Sequence, residues 1–393
     1  MSRSADSRVR IDCIEGNSPM IDLGLMPLVN NLHETAAEAV AAKRYPLHVV
    51  MDGDLTAHLN YQVPPAEMYT SYFYRSGVSA PFVAHCQQMW AEVAHRSPRR
   101  IIDIGGNDGT LLRAFQSQST AKLQLVNVDA SASVADENER AGIDFTNALW
   151  GDVNVGKADV IVSTNVFQHT ADVEKFLRGI QLHLDGVWIL EFPYFLTTLE
   201  TSQFDQIYHE HYFFWLVTPL VELFRAHGLT IIAIRELAIH GGSLRIISTN
   251  QPVVDERVWQ PFVEREARYD YAGSAARVSQ QIEEGRAFFA ALPPTTTVAA
   301  FGAAAKGVVY LNALGCHERF QYVVDDTPQK QGKFIPGTAL EVVARERLLA
   351  DQPDLLVILA HNFKDHITAS LRPHYRGSIV TMIPMIHKLG FAS

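Results

Sequence analysis

Short apolar runs alternate with amphipathic stretches through the middle of the chain. Each run is bounded by turn residues or polar positions, as expected for a buried β-strand, and the stretches between the runs favour helices. Six runs predict strands: Ile101 to Ile104, Leu123 to Asp129, Ala158 to Thr164, Gly186 to Glu191, Thr230 to Arg235 and Ser243 to Ser248. The alternation of strands and helices predicts an α/β fold with a doubly wound parallel sheet.

The regions on either side of this sheet have patterns of their own. Up to about residue 70, turn residues break the apolar runs, which predicts a small β-rich or irregular unit. Residues 255–292 are charged and helical, and a second strand and helix alternation begins at Thr297. We therefore predict a small N-terminal domain over residues 1–70, a central α/β domain over 71–250, and a helical bridge with a C-terminal α/β domain over 251–393.

Composition excludes several classes of function. The chain has 393 residues, 47% of them hydrophobic and 19% charged, which is typical of a soluble globular protein. A formal charge of −10 and the lack of a dense Lys/Arg run argue against a nucleic-acid surface, although a small phosphorylated ligand remains compatible. The three cysteines are far apart and predict no disulfide framework. With no signal-peptide pattern and no long apolar run, we expect a cytoplasmic protein without membrane contact.

A glycine-rich turn directly follows the first predicted strand of the central region. It reads Asp103-Ile-Gly105-Gly106-Asn-Asp-Gly109, and the next strand ends in Asp129. Glycines let the backbone approach a ligand, and an acidic residue at the second strand end can accept both hydroxyls of a ribose. The spacing is not that of a dinucleotide loop; it resembles class I S-adenosylmethionine-dependent methyltransferases. We expect S-adenosylmethionine here, with Asn165 bordering it after the strand that ends at Thr164, although a lone glycine loop can also be an ordinary tight turn.

Residues 204–214 concentrate groups that can transfer protons. The segment contains two histidines, two tyrosines and two carboxylates. In a helix, Tyr208, His211 and Tyr212 would share one face. A metal site is not predicted, because His209 and His211 would diverge by about 200° on a helix, whereas zinc helices space their histidines four apart. An aromatic helix whose polar tips bond within the core is the other interpretation, but the position beyond the strand ends favours chemistry.

Several strings, in order along nearly the whole chain, resemble the three-domain C-methyltransferases of deoxysugar biosynthesis, which act on nucleotide-linked 4-keto sugars. The matching strings are Leu23-Gly-Leu-Met-Pro27-Leu-x-Asn30, Tyr72-Phe-Tyr74-Arg-Ser76-Gly-Val-Ser79, Asp103 to Gly109, Asn165 to His169, Phe204-Asp-Gln-Ile-Tyr208-His-Glu210-His211, His240-Gly-Gly-Ser-Leu-Arg245, Gly302-Ala-Ala-Ala-Lys306-Gly307 and Asp325-Asp-Thr-Pro-x-Lys330.

The resemblance implies a zinc-binding N-terminal domain, a central methyltransferase domain of the class I Rossmann-like type, and a C-terminal Rossmann-like domain that helps hold the nucleotide sugar. This chain departs from the first of these. Where the family has two Cys-x-x-Cys pairs, it has Arg10-x-x-Cys13 and Met51-x-x-Asp54. A structural zinc site needs four ligands, so we expect no metal.

The residue types suggest a mechanism of C-methylation beside a ketone. Histidine is a natural base near neutral pH, so we expect His211 to remove the α-proton, with Glu210 orienting or tuning it. Tyr208 would donate to the developing enolate oxygen. The resemblance implies a similar assignment, with His169 and Tyr74 in the same pocket, and either His169 or His211 can be the base.

The substrate's nucleotide would need further contacts. Lys306 follows a glycine and alanine loop whose amides can receive an anion. The other candidates for substrate binding are Tyr72, Tyr74, Ser76, His240, Arg245 and Lys330. Arg245 could instead form an ion pair, Lys330 could be solvated, and the loop could bind nothing.

The alternatives for function are a methyltransferase of the same fold that acts on a non-sugar carbon acid or on an oxygen or nitrogen nucleophile, and a binding protein without turnover.

Overall fold

The computed structural model describes residues 19–68, 77, 80–253 and 255–389. The strands are β1 (Ile21–Pro27), β2 (Arg44–Met51), β3 (Ala57–Leu59), β4 (Arg100–Ile104), β5 (Gln124–Asp129), β6 (Asp144–Asn147), β7 (Ala158–Thr164), β8 (Leu184–Pro193), β9 (Phe213–Phe214), β10 (Thr230–Leu237), β11 (Ser243–Thr249), β12 (Val298–Phe301), β13 (Val323–Val324), β14 (Val342–Val343), β15 (Leu355–Ile358), β16 (Ser378–Thr381) and β17 (His387–Leu389). The helices are α1 (Ala36–Val40), α2 (Pro65–Met68), α3 (Ala80–Met89), α4 (Thr110–Gln118), α5 (Ala135–Arg140), α6 (Val173–His183), α7 (Phe195–Glu200), α8 (Val217–Ala226), α9 (Gln260–Ala267), α10 (Ser274–Ala291), α11 (Ala305–Leu314), α12 (Arg345–Asp351) and α13 (Lys364–Leu371).

The central sheet has the strand order β10-β11-β8-β7-β4-β5-β6. Strands β4 to β8 are parallel, and β11 pairs antiparallel with both β8 and β10. Nearly every side chain of β4 and β7 is buried, because helices cover both faces of a doubly wound sheet. This is the class I methyltransferase fold that the sequence predicts.

The C-terminal sheet has the order β14-β13-β12-β15-β16-β17, and its strands are parallel except for β17. It confirms the predicted second α/β unit. Its strand β13 is only two residues long, Val323 and Val324, and a 3₁₀ turn at His317–Arg319 comes shortly before it.

The helical bridge between these sheets is tied to the central unit by a buried carboxylate. Glu266, in α9, accepts hydrogen bonds from the Tyr194 hydroxyl at 2.7 Å, the Val217 amide at 2.7 Å and the Thr218 amide at 2.8 Å. The two amides belong to the start of α8, where backbone donors lack partners within the helix. Glu266 therefore connects the bridge to two elements of the central unit.

The N-terminal sheet has the order β1-β2-β3-β9, so a strand from residues 204–214 forms its edge. In that strand, Phe213 pairs with His58 and Phe214 with Ala57. The segment is therefore not a helix: a 3₁₀ turn at Phe204–Gln206 is followed by a turn and then by β9. The shared helical face considered for Tyr208, His211 and Tyr212 does not form, because the end of the segment pairs with the edge of β3.

Within the described ranges, no helix is both long and apolar enough to cross a membrane.

Candidate active site

The glycine-rich turn lies at the carboxyl end of β4, where doubly wound sheets bind ligands. Gly105 has a φ of 64°, and a Cβ placed on it would lie 2.6 Å from a methyl carbon of Val166. A Cβ on Gly106 would lie 2.6 Å from Oδ2 of Asp103. The turn therefore has no space for side chains at these positions, and its backbone stays open to a ligand.

Side chains from β5 hold this turn in place. Asn127 accepts a hydrogen bond from the Gly106 amide at 3.1 Å, and its own amide donates to the Asn107 carbonyl at 2.9 Å. Asp129 accepts from the amides of Asn107 at 2.9 Å and Ser131 at 2.7 Å. The sequence prediction missed Asn127, although it lies two residues before Asp129 on the same face of the strand.

Asp103 is the residue beside the turn that most directly indicates a ligand. Its side chain is buried, and neither carboxylate oxygen has a hydrogen-bond partner among the described residues. Burial, and then the charges of Asp129 and Asp108, raise the pKa of this carboxyl well above its usual value. Such a carboxyl beside an open glycine turn fits S-adenosylmethionine, which carries amino and hydroxyl donors. Asn165, with a left-handed φ of 55°, follows β7 at the same sheet edge.

His211, Tyr208 and His169 form an aromatic cluster beyond the strand ends. The ring centroid of His211 lies 3.9 Å from that of Tyr208 and 4.8 Å from that of His169. His211 is 4% exposed, whereas Tyr208 and His169 are only partly buried. The structure thus brings together three of the four residues predicted to be catalytic.

The protonation state of His211 follows from its surroundings. Its Nδ1 lies 3.0 Å from the main-chain carbonyl oxygen of Gln206, which can only accept, so Nδ1 carries the proton and Nε2 keeps a lone pair. Burial and the neighbouring His169 hold the pKa of His211 well below its usual value, and burial lowers that of His169 to about 4. Both rings are therefore neutral at pH 7.

Glu210, the fourth residue, points to the N-terminal unit. Its Oε1 accepts a hydrogen bond from Asn30 at 2.5 Å. Burial raises the pKa of Glu210 to about 7, and the bond from Asn30 opposes this shift. The expectation that Glu210 orients His211 directly is not met, because the Gln206 carbonyl occupies Nδ1 of that ring. Asn30 belongs to one of the matching strings, but no role was predicted for it.

His209 contacts the N-terminal sheet and lies outside the aromatic cluster. Its Nε2 is 3.2 Å from the Pro46 carbonyl oxygen, and its ring packs against Tyr45 with centroids 5.9 Å apart. Tyr212 is buried in a separate group with Leu28 and Tyr45. Since the segment is not a helix, Tyr212 does not share a face with Tyr208 and His211.

Two of the basic residues expected to bind the substrate already have protein partners. Arg245 is 5% exposed and its Nε donates to Glu191 at 2.5 Å, directly across the pairing of β11 and β8. Lys330 donates to the Ala303 carbonyl at 2.9 Å and lies 3.3 Å from Asp325. A phosphate would have to compete with these carboxylates for the two cations. Neither Arg245 nor Lys330 is therefore assigned to substrate binding.

Lys306 contacts the backbone of His240 and does not extend into an open anion site. The Lys306 ammonium donates to the main-chain carbonyl of His240 at 2.9 Å. Burial lowers the pKa of Lys306 to about 8. His240 lines a cleft of about 320 Å³ together with Ile239, Asn362, Phe363, Asp365 and His366.

Tyr72, Tyr74 and Ser76, the remaining candidates for substrate binding, lie outside the described residues.

The described part of the chain contains no group of three or more His, Cys, Asp or Glu side chains that could hold a metal ion. Arg10 and Cys13 lie outside that part. The expected lack of zinc therefore stays a prediction.

Models of known protein families match both α/β units. A family model described as "Methyltransferase domain" matches residues 75–234, and one described as "C-methyltransferase C-terminal domain" matches residues 238–384. The C-methyltransferase NovU of Streptomyces niveus is 27% identical over 378 residues, which are 88% of this chain and 88% of that protein.

Solved structures with partial similarity include two methyltransferases. Magnesium protoporphyrin IX methyltransferase from Synechocystis PCC 6803 with bound S-adenosylhomocysteine is 15% identical, covering 47% of this chain and 91% of that chain, with a TM-score of 0.36. The 1,6-didemethyltoxoflavin-N1-methyltransferase of Burkholderia thailandensis is 14% identical, covering 51% and 97%, with a TM-score of 0.34.

Proposed function

We propose that this S-adenosylmethionine-dependent C-methyltransferase methylates the carbon beside the ketone of a nucleotide-linked deoxysugar. One observation carries the chemistry. The proton of His211 is held on Nδ1 by the Gln206 carbonyl, which leaves Nε2 as a base beside the rings of Tyr208 and His169.

The reaction begins with removal of a proton from the carbon next to the ketone. Nε2 of His211 takes this proton, and the electron pair of the broken C–H bond forms the carbon–carbon double bond of an enolate. The former carbonyl oxygen gains negative charge, which the Tyr208 hydroxyl stabilises by donating to it. Because burial keeps His211 neutral, the base is ready at neutral pH.

S-adenosylmethionine bound at the glycine-rich turn would supply a methyl group on a positively charged sulfur; the enolate carbon would bond to that methyl carbon as the methyl–sulfur bond breaks. Asp103, Asp129 and the backbone of Gly105 and Gly106 would hold this cofactor, since they line the turn at the end of β4. His211 then releases its proton to solvent, and the enzyme returns to its starting state.

The cleft beside His240 supports a nucleotide-linked acceptor. Its lining combines the Phe363 ring with polar groups, as nucleotide sites do. Nε2 of His240 and Oδ1 of Asn362 are buried and lack hydrogen-bond partners among the described residues. Two hydrogen bonds connect the cleft with the proposed base: the Gln206 side chain donates to the His240 carbonyl, and the Gln206 main-chain carbonyl accepts from His211. We propose that the nucleotide lies there and the sugar ketone lies at His211.

Methyl transfer to a thymidine-diphosphate-linked 4-keto deoxysugar tests this proposal, with the same sugar lacking the nucleotide as comparison. We expect turnover of the linked sugar with its new methyl on the α-carbon, and at least a tenfold loss of kcat/KM for the free sugar. Equal turnover of both sugars, or methylation on oxygen or nitrogen, would contradict it.

Two exposed histidines of the C-terminal unit provide a matched pair for the nucleotide site. His366 lines the cleft, and His374 lies outside its lining. We expect His366→Ala to weaken the binding of thymidine diphosphate, measured by calorimetry, and His374→Ala to leave it unchanged. Equal affinities in both variants would remove the nucleotide from this cleft.

A further inference from the structure

The turn at His240 has an unusual backbone. His240, Gly241 and Gly242 have φ values of 55°, 89° and 115° in succession. Glycines adopt such values readily, but histidine seldom does, so surrounding contacts must hold His240 in place. A Cβ on Gly242 would lie 2.5 Å from a methyl carbon of Thr197, which shows how closely the turn packs.

Two side chains from different units hold the His240 carbonyl. Lys306, at the start of α11 in the C-terminal unit, donates to this oxygen at 2.9 Å. Gln206, from the segment that carries the proposed base, donates its side-chain amide to the same oxygen at 2.5 Å. The carbonyl therefore joins the C-terminal unit to the catalytic segment.

Gln206 connects this carbonyl to His211. Its side chain bonds to His240, while its main-chain carbonyl accepts the Nδ1 proton of His211 at 3.0 Å. Gln206 is 3% exposed, so water does not replace either contact readily. Gln206 thus links the His240 carbonyl to Nδ1 of His211, and the acceptor at Nδ1 sets which ring nitrogen carries the proton.

The charge of Lys306 acts on the same histidine. Burial and the neighbouring His169 lower the pKa of His211 most, and the charge of Lys306 adds to this shift; burial lowers the pKa of Lys306 itself, and Asp205 opposes that shift. Asp205 is 1% exposed, and its Oδ2 lies 3.3 Å from Nδ1 of His361. A cation held beside the base favours the neutral imidazole that can take a proton.

We infer that Gln206 and Lys306 are positioning residues, which fix the tautomer and orientation of His211 through the His240 carbonyl, so that the C-terminal unit completes the catalytic geometry. This inference rests on the proposed function, because it takes His211 to be the base. It gives the C-terminal unit a role in the chemical step beyond any contact with substrate.

Three variants of the full-length protein test this inference. Gln206→Met and Lys306→Met keep the length of each side chain and remove its donor, and Lys306→Arg keeps a donor. We expect each methionine variant to lower kcat about 5- to 10-fold, the loss of one hydrogen bond, with KM and S-adenosylmethionine affinity unchanged. Lys306→Arg should recover part of the loss. The double variant should lose less than the product of the two, because both donors act on one acceptor.

Gln203→Met is the matched control, because it removes a different hydrogen bond to the same turn. Gln203 donates to the neighbouring carbonyl, that of Gly241, at 2.8 Å and makes no bond to His211. We expect its kcat to stay within about twofold of wild type, because both donors to the His240 carbonyl remain in this variant.

The nitrogen spectrum of ¹⁵N-labelled histidine provides a readout independent of turnover. We expect His211 to carry its proton on Nδ1 in the wild type, and on both nitrogens in exchange in Gln206→Met. Wild-type kcat together with an unchanged tautomer in Gln206→Met would overturn the inference and leave the proposed function intact. Full activity in His211→Gln would instead overturn the proposed function.

Discussion

Asn30 of the N-terminal sheet donates a hydrogen bond to Glu210 of the catalytic segment at 2.5 Å, across 180 positions of sequence. The backbone supports the same connection, since the Leu59 amide donates to the Tyr212 carbonyl at 3.0 Å. The N-terminal unit therefore helps set the environment of a residue adjacent to the proposed base.

We expect Asn30→Ala to raise the pKa of Glu210 above about 7, because the bond from Asn30 stabilises the charged carboxylate. A ¹³C titration of the glutamate carboxyls measures this value. Asn31→Ala is the neighbouring control, since its amide makes only a 3.5 Å contact with the Glu67 carbonyl. A pKa of Glu210 that does not move in Asn30→Ala would show that the hydrogen bond is absent in solution.

Glu210→Gln should stabilise the fold at high pH. The folded-state pKa of about 7 lies above the usual 4.5, so the folded protein keeps a proton that the unfolded chain releases. Stability is therefore lost as pH rises from about 4.5 to 7, by about 3 kcal/mol for a shift of this size. Glutamine keeps an acceptor for Asn30 and carries no charge.

Denaturant unfolding of wild type and Glu210→Gln at pH 5 and pH 8 measures this effect. The advantage of the variant should be larger at pH 8. Glu264→Gln, an exposed change on α9, should show no such trend. An advantage that is equal at both values of pH would contradict the raised pKa.

Gly105→Ala should weaken S-adenosylmethionine binding at least tenfold, because the added methyl would collide with Val166 and the φ of 64° is unfavourable for alanine. Gly142 has a similar φ of 69°, but nothing lies within 4 Å of its added Cβ. Gly142→Ala should therefore cost only about 1 kcal/mol of stability and leave affinity unchanged. Calorimetry with S-adenosylhomocysteine distinguishes them, and equal affinity in both variants would place the cofactor elsewhere.

Glu266→Ala should destabilise the protein by about 3 kcal/mol, because it leaves the Tyr194 hydroxyl and two α8 amides buried without an acceptor. Glu264→Ala, on the exposed side of the same helix, should change stability by less than about 0.5 kcal/mol. Thermal unfolding measures both. Equal midpoints would show that the bridge does not depend on this carboxylate.

The sequence predicted those features that local pattern determines. The strand at Ala158–Thr164 has the predicted bounds, because a continuous apolar run ends at polar residues. The glycine turn after β4 was likewise predicted, since its conformation requires residues without side chains.

Features that depend on distant partners were not predicted. The conformation of residues 204–214 was not determined from the sequence, because the segment pairs with β3, a strand much nearer the start of the chain. For Arg245 the sequence left substrate binding and an ion pair as alternatives, because the register that sets it opposite Glu191 is not visible in sequence. The contact of His211 with the Gln206 carbonyl uses a backbone atom, and such atoms leave no signal in residue types.

A single experiment can decide whether His211 or His169 removes the proton. Hydrogen exchange at the α-carbon of the keto sugar, in D₂O with S-adenosylhomocysteine bound, follows proton removal without methyl transfer. Loss of exchange in His169→Gln with retention in His211→Gln would make His169 the base.

The central measurement is this exchange rate in wild type, His211→Gln and the control His209→Gln, whose histidine contacts the N-terminal sheet. If His211 removes the proton, His211→Gln loses exchange by about 100-fold or more while it still binds S-adenosylhomocysteine, and His209→Gln exchanges as wild type does. Exchange at the wild-type rate in His211→Gln would contradict the assignment of His211 as the base.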